Sequence, residues 1–272
     1  MKVLVAVFSL TIGLSFANAA PPEVMTVVKQ MKQVYEPARP STRQIILSTD
    51  GPGGEKARWI AGQAFKMLPD GKRLVTVILS PESLRGSTLL IQEQEGKPSA
   101  VWMYFPPLRR VRQMPPVDIY QHFLDTDFTY ADLGFVRLEA SYRFLGEEQH
   151  AGVRAYKVEE AIPQDRAYYS RIVTWVAADS MLPLQKDYYD VAGALWKTEV
   201  FEDVSVIDGA PTPLHITMHD VQARTRTELK IQHVRYDIEI ADELFDPFRL
   251  PQVAEAQLWN GYGFGAPATA EK

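Results

Sequence analysis

The feature that most constrains the fold is a series of short runs, rich in β-branched and aromatic residues, between Ser41 and Ile240. About a dozen such runs are separated by turn signals such as Asp50-Gly51, Asp70-Gly71 and Asp208-Gly209, a pattern that predicts β-strands. No helical run between them is long enough for a parallel crossover, so the order predicts an antiparallel meander. A single sheet of that size must curl toward a barrel or divide into two packed sheets.

The last run, residues 226–240, changes the face that carries its apolar side chains. Leu229 and Ile231 share one phase, whereas Val234 and the apolar residues after it share the other. A slip of one residue near Gln232 predicts a β-bulge, which bends a sheet into a barrel wall.

Two other runs, residues 73–80 and 100–106, are apolar on both faces. This is expected where one face lines the interior and the other is covered by a helix or a loop. The aromatic residues and methionines of the chain fit either an ordinary packed core or the lining of a cavity, and the residues alone leave both interpretations open.

The clearest helical pattern covers residues 21–36. Val24, Val27, Val28 and Met31 recur at helical spacing with polar residues between them. The helix is amphipathic, so its apolar stripe requires a surface to cover.

The N-terminal residues have the pattern of a secretory signal. Lys2 precedes an apolar run, and Ala17 and Ala19 form an A-x-A cleavage site, so we expect cleavage after Ala19. The chain contains no cysteine, which excludes disulfides, thiolate metal sites and the acylated cysteine of a lipoprotein. Its formal net charge of −5 argues against a nucleic-acid partner. We therefore expect an exported, soluble protein without a lipid anchor.

Motifs of catalysis are absent from the sequence, which contains no P-loop, no Rossmann glycine fingerprint and no G-x-S-x-G elbow. His215 and His219 are four residues apart, but they lie in a strand-like run, where that spacing spans ~13 Å. The two rings could not bind one ion. We expect no catalytic residues, no cofactor and no metal, and hence no enzyme.

The segment FLDTDFTYADLGF, residues 123–135, combines aspartates with aromatic residues. It could be a metal site, a catalytic carboxylate pair or a segment that fastens over a core. It lacks the D-x-D-x-D-G order and the final glutamate of a calcium loop. The aromatic residues are Phe123, Phe128 and Tyr130, and the aspartates are Asp125, Asp127 and Asp132.

A compact basic group, Arg109, Arg110 and Arg112, precedes this segment. Guanidinium groups form strong paired hydrogen bonds with carboxylates and with phosphates. The arginines can therefore form ion pairs with Asp125, Asp127 and Asp132, or bind an anionic ligand or a lipid headgroup, and both interpretations stay open.

Several segments, taken in order, resemble one family. GSTLLIQEQEGKPSAVWMYFPPLRRVRQM (residues 86–114), FLDTDFTYADL (residues 123–133) and residues 182–250 are similar to the outer-membrane lipoprotein-sorting proteins related to LolA. The similarity extends over about residues 40–250. Thr126 stands where the family signature more often has serine, and it keeps the hydroxyl group.

The resemblance implies a mainly β fold: a curved, incompletely closed antiparallel barrel of about eleven strands, with helices that cap its mouth. It also implies an apolar cavity for acyl chains and a periplasmic carrier of lipid or lipoprotein between the inner and outer membranes. Such a carrier would touch membranes transiently, work with an inner-membrane transporter of the RND or MMPL type and be a monomer. The alternative is a periplasmic sensor of the RseB type, which binds lipid or a protein partner.

We expect three parts: a signal peptide (residues 1–19), one LolA-like domain (residues 20–251) with a lid helix (residues 22–36), and a C-terminal tail (residues 252–272). The tail could dock on the barrel or on a partner. The side chains expected to line the cavity are Val27, Met31, Trp59, Phe65, Met67, Val77, Leu90, Trp102, Tyr104, Phe123, Phe128, Tyr130, Trp175 and Met218.

Overall fold

The structure is a computed structural model that describes residues 23–36, 38–50, 56–94, 97–134, 140–163, 168–255 and 259–260. The predicted signal peptide and most of the predicted tail lie outside the described residues. In the described part, thirteen strands form one antiparallel sheet. They are β1 (Ser41–Asp50), β2 (Lys56–Leu68), β3 (Gly71–Ser80), β4 (Thr88–Gln94), β5 (Lys97–Phe105), β6 (Arg110–Gln113), β7 (Ser141–His150), β8 (Val153–Ala161), β9 (Tyr169–Ala177), β10 (Pro183–Asp190), β11 (Leu195–Ile207), β12 (Ala210–Asp220) and β13 (Thr225–Tyr236).

Neighbouring strands in the sheet are consecutive in the chain, with one exception. Strands β1 to β6 occupy one half and β7 to β13 the other, and β1 pairs with β13 where the halves meet. The edges are β6 and β7, so the sheet does not close. The predicted fold, a mainly β and incompletely closed antiparallel barrel, is confirmed, with thirteen strands where about eleven were expected. The strand that the sequence pattern missed is β6, whose four residues include one apolar side chain.

Tight turns connect the longer strands. Asp208 and Gly209 have φ angles of 47° and 77°, and the flanking Ile207 and Ala210 are paired across β11 and β12. Two consecutive residues with positive φ form the type of hairpin turn whose twist matches that of the strands, and Asp-Gly is a preferred sequence for it.

The predicted β-bulge in β13 is present. Thr42 of β1 pairs with Arg235, but Gln44, two residues later, pairs with Gln232, three residues earlier. The extra residue lies at His233, whose φ is 51°. An extra residue on one strand bends the sheet and increases its twist, as a barrel wall requires.

The two faces of the sheet are covered by different parts of the chain. The inner face carries the larger apolar cluster, with Ile45 and Leu47 of β1 and Leu229 of β13. The outer face carries a second cluster, with Ile46 of β1, and the C-terminal segment packs there through Trp259, which is fully buried. Two short helices complete the fold: α2 (Tyr130–Gly134) and α3 (Leu250–Val253).

The predicted lid helix is present as α1 (Val24–Tyr35). Its buried residues, Val27 and Val28, pack against Val158 of β8 and Val176 of β9. The amphipathic stripe is thus buried on the β7 side of the sheet. No helix in the described ranges is long and apolar enough to cross a membrane.

Candidate functional site

An open cavity of about 930 Å³ lies between α1 and the inner face of the sheet. One wall is α1, another is the β2–β3 turn region, and the floor is formed by β9 and β10. Its lining is mixed in polarity. The apolar lining includes Met25, Val28, Met31, Met67, Ala131 and Ile172, and the polar lining includes Lys32, Glu36, Lys72, Asp132, Tyr142, Glu160, Tyr169, Lys186 and Tyr188.

Polar contacts hold α1 on both sides of the cavity. On one side, Lys32 donates a hydrogen bond of 3.0 Å to the hydroxyl of Tyr142, which donates to Glu160. On the other side, Lys72 of β3 forms an ion pair of 2.9 Å with Glu36, at the C-terminal end of α1. These pairs bridge the helix and the sheet, so they fix the position of the lid over the cavity.

Two residues of the cavity floor contact the buried carboxylate of Glu199. The hydroxyl of Tyr188 donates a hydrogen bond of 2.6 Å to Glu199, and the ammonium of Lys186 lies 3.5 Å from the same carboxylate oxygen. Burial raises the pKa of the Glu199 carboxyl above its ordinary value of 4.5, while the charge of Lys186 opposes that shift. Burial likewise raises the pKa of Tyr188, so its hydroxyl remains a donor at neutral pH.

The raised pKa of Glu199 predicts a pH-dependent stability. In the unfolded chain the carboxyl ionises near 4.5, whereas the folded protein holds its proton to higher pH, so stability falls as pH rises through the folded pKa. Glu199→Gln removes this titration and keeps an acceptor for Tyr188. We measure the free energy of unfolding of both proteins by urea denaturation at each pH. We expect the difference, variant minus wild type, to increase from pH 4 to pH 7. A difference that is constant over this range would contradict the assignment.

A segment of the chain occupies part of the interior of the barrel. Residues 114–134, which follow β6 and which we term the strap, cross the inner face and bury Phe123 and Phe128 in the inner apolar cluster. Ile119 and Leu133 are buried in the same cluster. The resemblance implies an apolar cavity in this interior. The open cavity is bordered by residues of the same inner cluster, among them Ala131, Tyr169 and Ile172, and its lining also includes polar groups.

One aspartate of the strap fastens it to β13. The carboxylate of Asp127 accepts hydrogen bonds from the hydroxyls of Thr225 and Thr227, the latter at 2.7 Å. The backbone N–H of Asp127 donates to the hydroxyl of Thr227 at 2.9 Å. Asp127 is buried, and these contacts satisfy both of its carboxylate oxygens.

A second aspartate, Asp132, belongs to a buried network at the start of α2. It accepts a hydrogen bond of 2.8 Å from the backbone N–H of Thr129 and bonds of 3.1 Å from the hydroxyl of Tyr169. Its carboxylate lies 3.6 Å from the ammonium of Lys197, whose side chain is fully buried. Lys197 also donates to the carbonyl of Asp127 at 2.8 Å. The network links β11, β9 and the strap.

The three arginines form no ion pairs with these aspartates among the described residues. Among the described residues, no ion pair joins Arg109, Arg110 or Arg112 to the strap, because Asp127 binds threonines and Asp132 binds Lys197. The third aspartate, Asp125, is exposed, and the three arginines are exposed as well.

The side chains predicted to line a cavity are distributed over both faces of the sheet. Met31 and Met67 line the open cavity, and Phe65 lines a smaller pocket of about 50 Å³ beside Tyr35. Those buried in or packed against the inner cluster are Trp59, Phe123, Phe128, Tyr130 and Met218. Those in clusters elsewhere are Val27 on the buried face of α1, Val77, Leu90, Trp102 and Tyr104 on the outer face, and Trp175 beside Ala155 and Val173.

Several residues of the cavity were not predicted, above all Tyr142, Tyr169, Lys186 and Tyr188. Lys186 and Tyr188 alternate along β10 and therefore share a face. The sequence does contain this period of two, but Asp187 and its neighbours on the other face are equally polar. The pattern therefore could not indicate which face meets the cavity.

Metal ligation has no support in the described ranges, where no three His, Asp or Glu side chains are grouped to hold an ion. His215 and His219 both lie on β12. The nearest charged neighbour of His215 is Glu202, 3.5 Å from its Nδ1.

A family model described as an uncharacterized protein matches residues 70–252, which is more than half of the chain. The chain belongs to this family. None of the curated proteins matches it in sequence.

Solved structures identify the fold as LolA-like. A domain described as an outer-membrane lipoprotein-sorting protein from Vibrio parahaemolyticus superposes with a TM-score of 0.77 at 20% identity, over 84% of this chain and 97% of that one. A DUF1329 family protein from Desulfovibrio piger superposes with a TM-score of 0.76 at 24% identity, over 84% of this chain and 98% of that one. A LolA superfamily protein from Nitrosomonas europaea superposes with a TM-score of 0.69 at 17% identity, over 83% of this chain and 98% of that one.

Proposed function

We propose that this protein is a periplasmic carrier that binds the acyl chains of a lipid or a lipoprotein in the cavity beneath α1. The observation that carries the proposal is the open cavity of about 930 Å³ at the inner face. Cavities that hold small ligands have volumes of roughly 300–1,000 Å³. The cavity is thus large enough for part of an amphiphile.

The lining suits a ligand with an apolar and a polar part. Met31, Met67 and Ile172 offer apolar surface, and methionine side chains adapt to ligands of different shape. Each methylene that leaves water contributes about 0.8 kcal/mol. Lys29 of α1, which is exposed and lines the same cavity, is a donor for a polar headgroup.

The route of transport is proposed from the fold. A solved structure with this fold is described as an outer-membrane lipoprotein-sorting domain, which supports carriage between the inner and outer membranes. We propose that an inner-membrane transporter of the RND or MMPL type supplies or receives the cargo. The cargo would lie in the open cavity, between α1 and the β9–β10 floor.

Native mass spectrometry of protein purified from a periplasmic extract without detergent tests the proposal. We expect an added mass that lipid extraction identifies as a lipid or an acylated peptide. An unliganded mass, together with no uptake of a fluorescent fatty acid, would contradict the carrier function and favour the alternative, a sensor that binds a protein partner.

A pair of substitutions locates the binding site. We expect Met31→Glu with Met67→Glu to weaken the uptake of a fluorescent fatty acid at least tenfold, or about 1.4 kcal/mol, because two charges would face the acyl chain. Met67 is 44% exposed, so the fold should tolerate the change. Val206→Glu is the control, since Val206 is 73% exposed and is not among the residues that line the cavity. Equal affinities for both variants would place the ligand elsewhere.

A further inference from the structure

The β11–β12 hairpin extends beyond the strand that flanks β11 on its other side. Strand β10 pairs with β11 only up to Val200, whereas β12 pairs with β11 as far as Ile207. Among the described residues, residues 202–207 of β11, which we term the β11 edge, therefore have a partner strand on one side only. The residues of the β11 edge before Ile207 are all exposed, and Val206 is 73% exposed.

The backbone of the β11 edge directs hydrogen-bonding groups away from β12. Val204 and Val206 pair with Pro213 and Pro211, which have no N–H to donate. Proline is tolerated in a strand where its missing N–H is not needed by the ladder. In an antiparallel pair these are the positions without hydrogen bonds, so Val204 and Val206 direct their own N–H and C=O groups to the side opposite β12. In the part of the chain that the structure describes, no other strand pairs with this stretch of β11.

The two edges of the whole sheet differ from the β11 edge. Strand β6 has only four residues, two of which are arginines, and β7 has a register shift between Phe144 and Gly146. Short length, cationic side chains and bulges are features that keep a free edge from pairing with another strand. The β11 edge contains no lysine, arginine or proline, and its two valines alternate and so share a face. It therefore offers an added strand both backbone groups and apolar side chains.

The β11 edge is acidic where it begins. The side chains of Glu202 and Asp203 are 52% and 76% exposed. Their ion-pair partner is His215, whose Nδ1 lies 3.5 Å from Glu202 and 3.9 Å from Asp203, and which is charged only when it is protonated. Within the described ranges, no lysine or arginine forms an ion pair with either carboxylate. The two acids therefore favour a strand with a cationic side chain near one end.

We propose that the β11 edge binds an extended, basic segment of a partner protein as an additional strand. The N–H and C=O groups of Val204 and Val206 pair with the backbone of the segment, and the two valines contact apolar side chains that alternate along it. Glu202 and Asp203 pair with its lysine or arginine. This surface is separate from the cavity, so the proposal does not require a bound lipid.

A second copy of this chain is a poorer occupant of the β11 edge. In the antiparallel register that pairs Val204 with Val206 of a second copy, Glu202 lies opposite Asp208 of that copy. Like charges directly opposite each other destabilise a strand pair. Charge thus favours a basic segment over self-association.

Calorimetric titration with a synthetic peptide tests the proposal on the purified protein. The probe is the blocked peptide Lys-Val-Thr-Val-Thr-Val-Lys, which supplies alternating side chains and a cation at either end. We expect it to bind, and we expect the same peptide N-methylated at every internal amide to bind at least tenfold more weakly. Methylation removes the N–H donors and preserves every side chain, so the difference reports on backbone pairing.

Variants of the β11 edge locate the binding site. Val206→Pro removes an N–H that faces away from β12, so the melting temperature should not change while the affinity for the peptide falls at least tenfold. Glu202→Gln with Asp203→Asn should weaken binding about fivefold at low salt and less at about 0.5 M salt. The control, Asp125→Asn with Glu239→Gln, removes the same charge from exposed residues elsewhere and should change affinity less than about twofold.

Four outcomes would overturn the proposal. The first two are the absence of peptide binding at about 1 mM and equal binding of the methylated peptide. The third is an equal loss of affinity in the test and control pairs of acid variants. The fourth is a dimer in analytical ultracentrifugation that Val206→Pro converts to a monomer, which would assign the β11 edge to a second copy of this chain.

Discussion

Replacing Lys197 with methionine is expected to destabilise the protein by about 3–5 kcal/mol, because the change leaves a buried carboxylate without its cation. The Lys197 side chain is fully buried, and that of Asp132 is 4% exposed. Methionine preserves most of the side-chain volume, so the loss reports on charge and hydrogen bonding rather than on a cavity. Urea denaturation, with the midpoint and the slope fitted together, measures this loss of unfolding free energy.

Two further variants separate this effect from a general effect of charge. Lys56→Met removes a cation whose side chain is 83% exposed and 3.9 Å from Asp50, so it should cost at most about 1 kcal/mol. In the Lys197→Met background, Asp132→Asn should recover part of the loss, because it removes the uncompensated charge and keeps an acceptor for Thr129. A double variant no more stable than Lys197→Met alone would show that the ion pair is not the cause.

Local patterns predicted the elements of the fold well. The helical period gave α1, the change of phase in the last run gave the bulge at His233, and Asp208-Gly209 gave a hairpin turn. Each of these features depends on residues close in sequence, which is why periodicity and turn chemistry were sufficient.

The face of each strand was harder to predict, because strands with two apolar faces have no preferred phase. Val77 and Leu90 were expected to line a cavity, but they lie on the outer face, where residues from α3 and Trp259 cover them. The covering segment lies more than a hundred residues further along the chain. The alternation within a strand contains no information about it.

For the strap, the sequence predicted the type of contact but not the residues that make it. Aromatic side chains of the strap are buried in the inner cluster, as expected of a segment that fastens over a core, and Asp132 accepts a hydrogen bond from Thr129 at the start of α2. The partners Thr225, Thr227 and Lys197 lie on β13 and β11 and have no sequence signature, since a buried threonine or lysine is recognised only when its neighbour is known. Pairing with the nearby arginines was one of two alternatives, and no such ion pair occurs among the described residues.

Phe128→Ala is expected to destabilise the protein by about 3–5 kcal/mol, since it deletes a buried aromatic side chain from the inner cluster. Phe128 is 2% exposed, and the strap around it is held by polar contacts that keep the cavity from collapsing. Phe248→Ala is the control, because Phe248 is 82% exposed and its removal should change stability by less than about 0.5 kcal/mol. A loss below about 1 kcal/mol for Phe128→Ala would mean that the strap does not pack on the inner face.

The same variant connects stability with the proposed function. Ala131 of the strap lines the open cavity, so space vacated at Phe128 would lie close to the site proposed for the acyl chain. A ligand that binds only the folded protein stabilises it in proportion to the logarithm of its concentration over Kd. We therefore expect a saturating fatty acid to raise the melting temperature of Phe128→Ala by more than that of the wild type. Equal shifts would indicate that the acyl chain stays within the open cavity and does not enter the space left by Phe128, and no shift in either protein would count against lipid binding altogether.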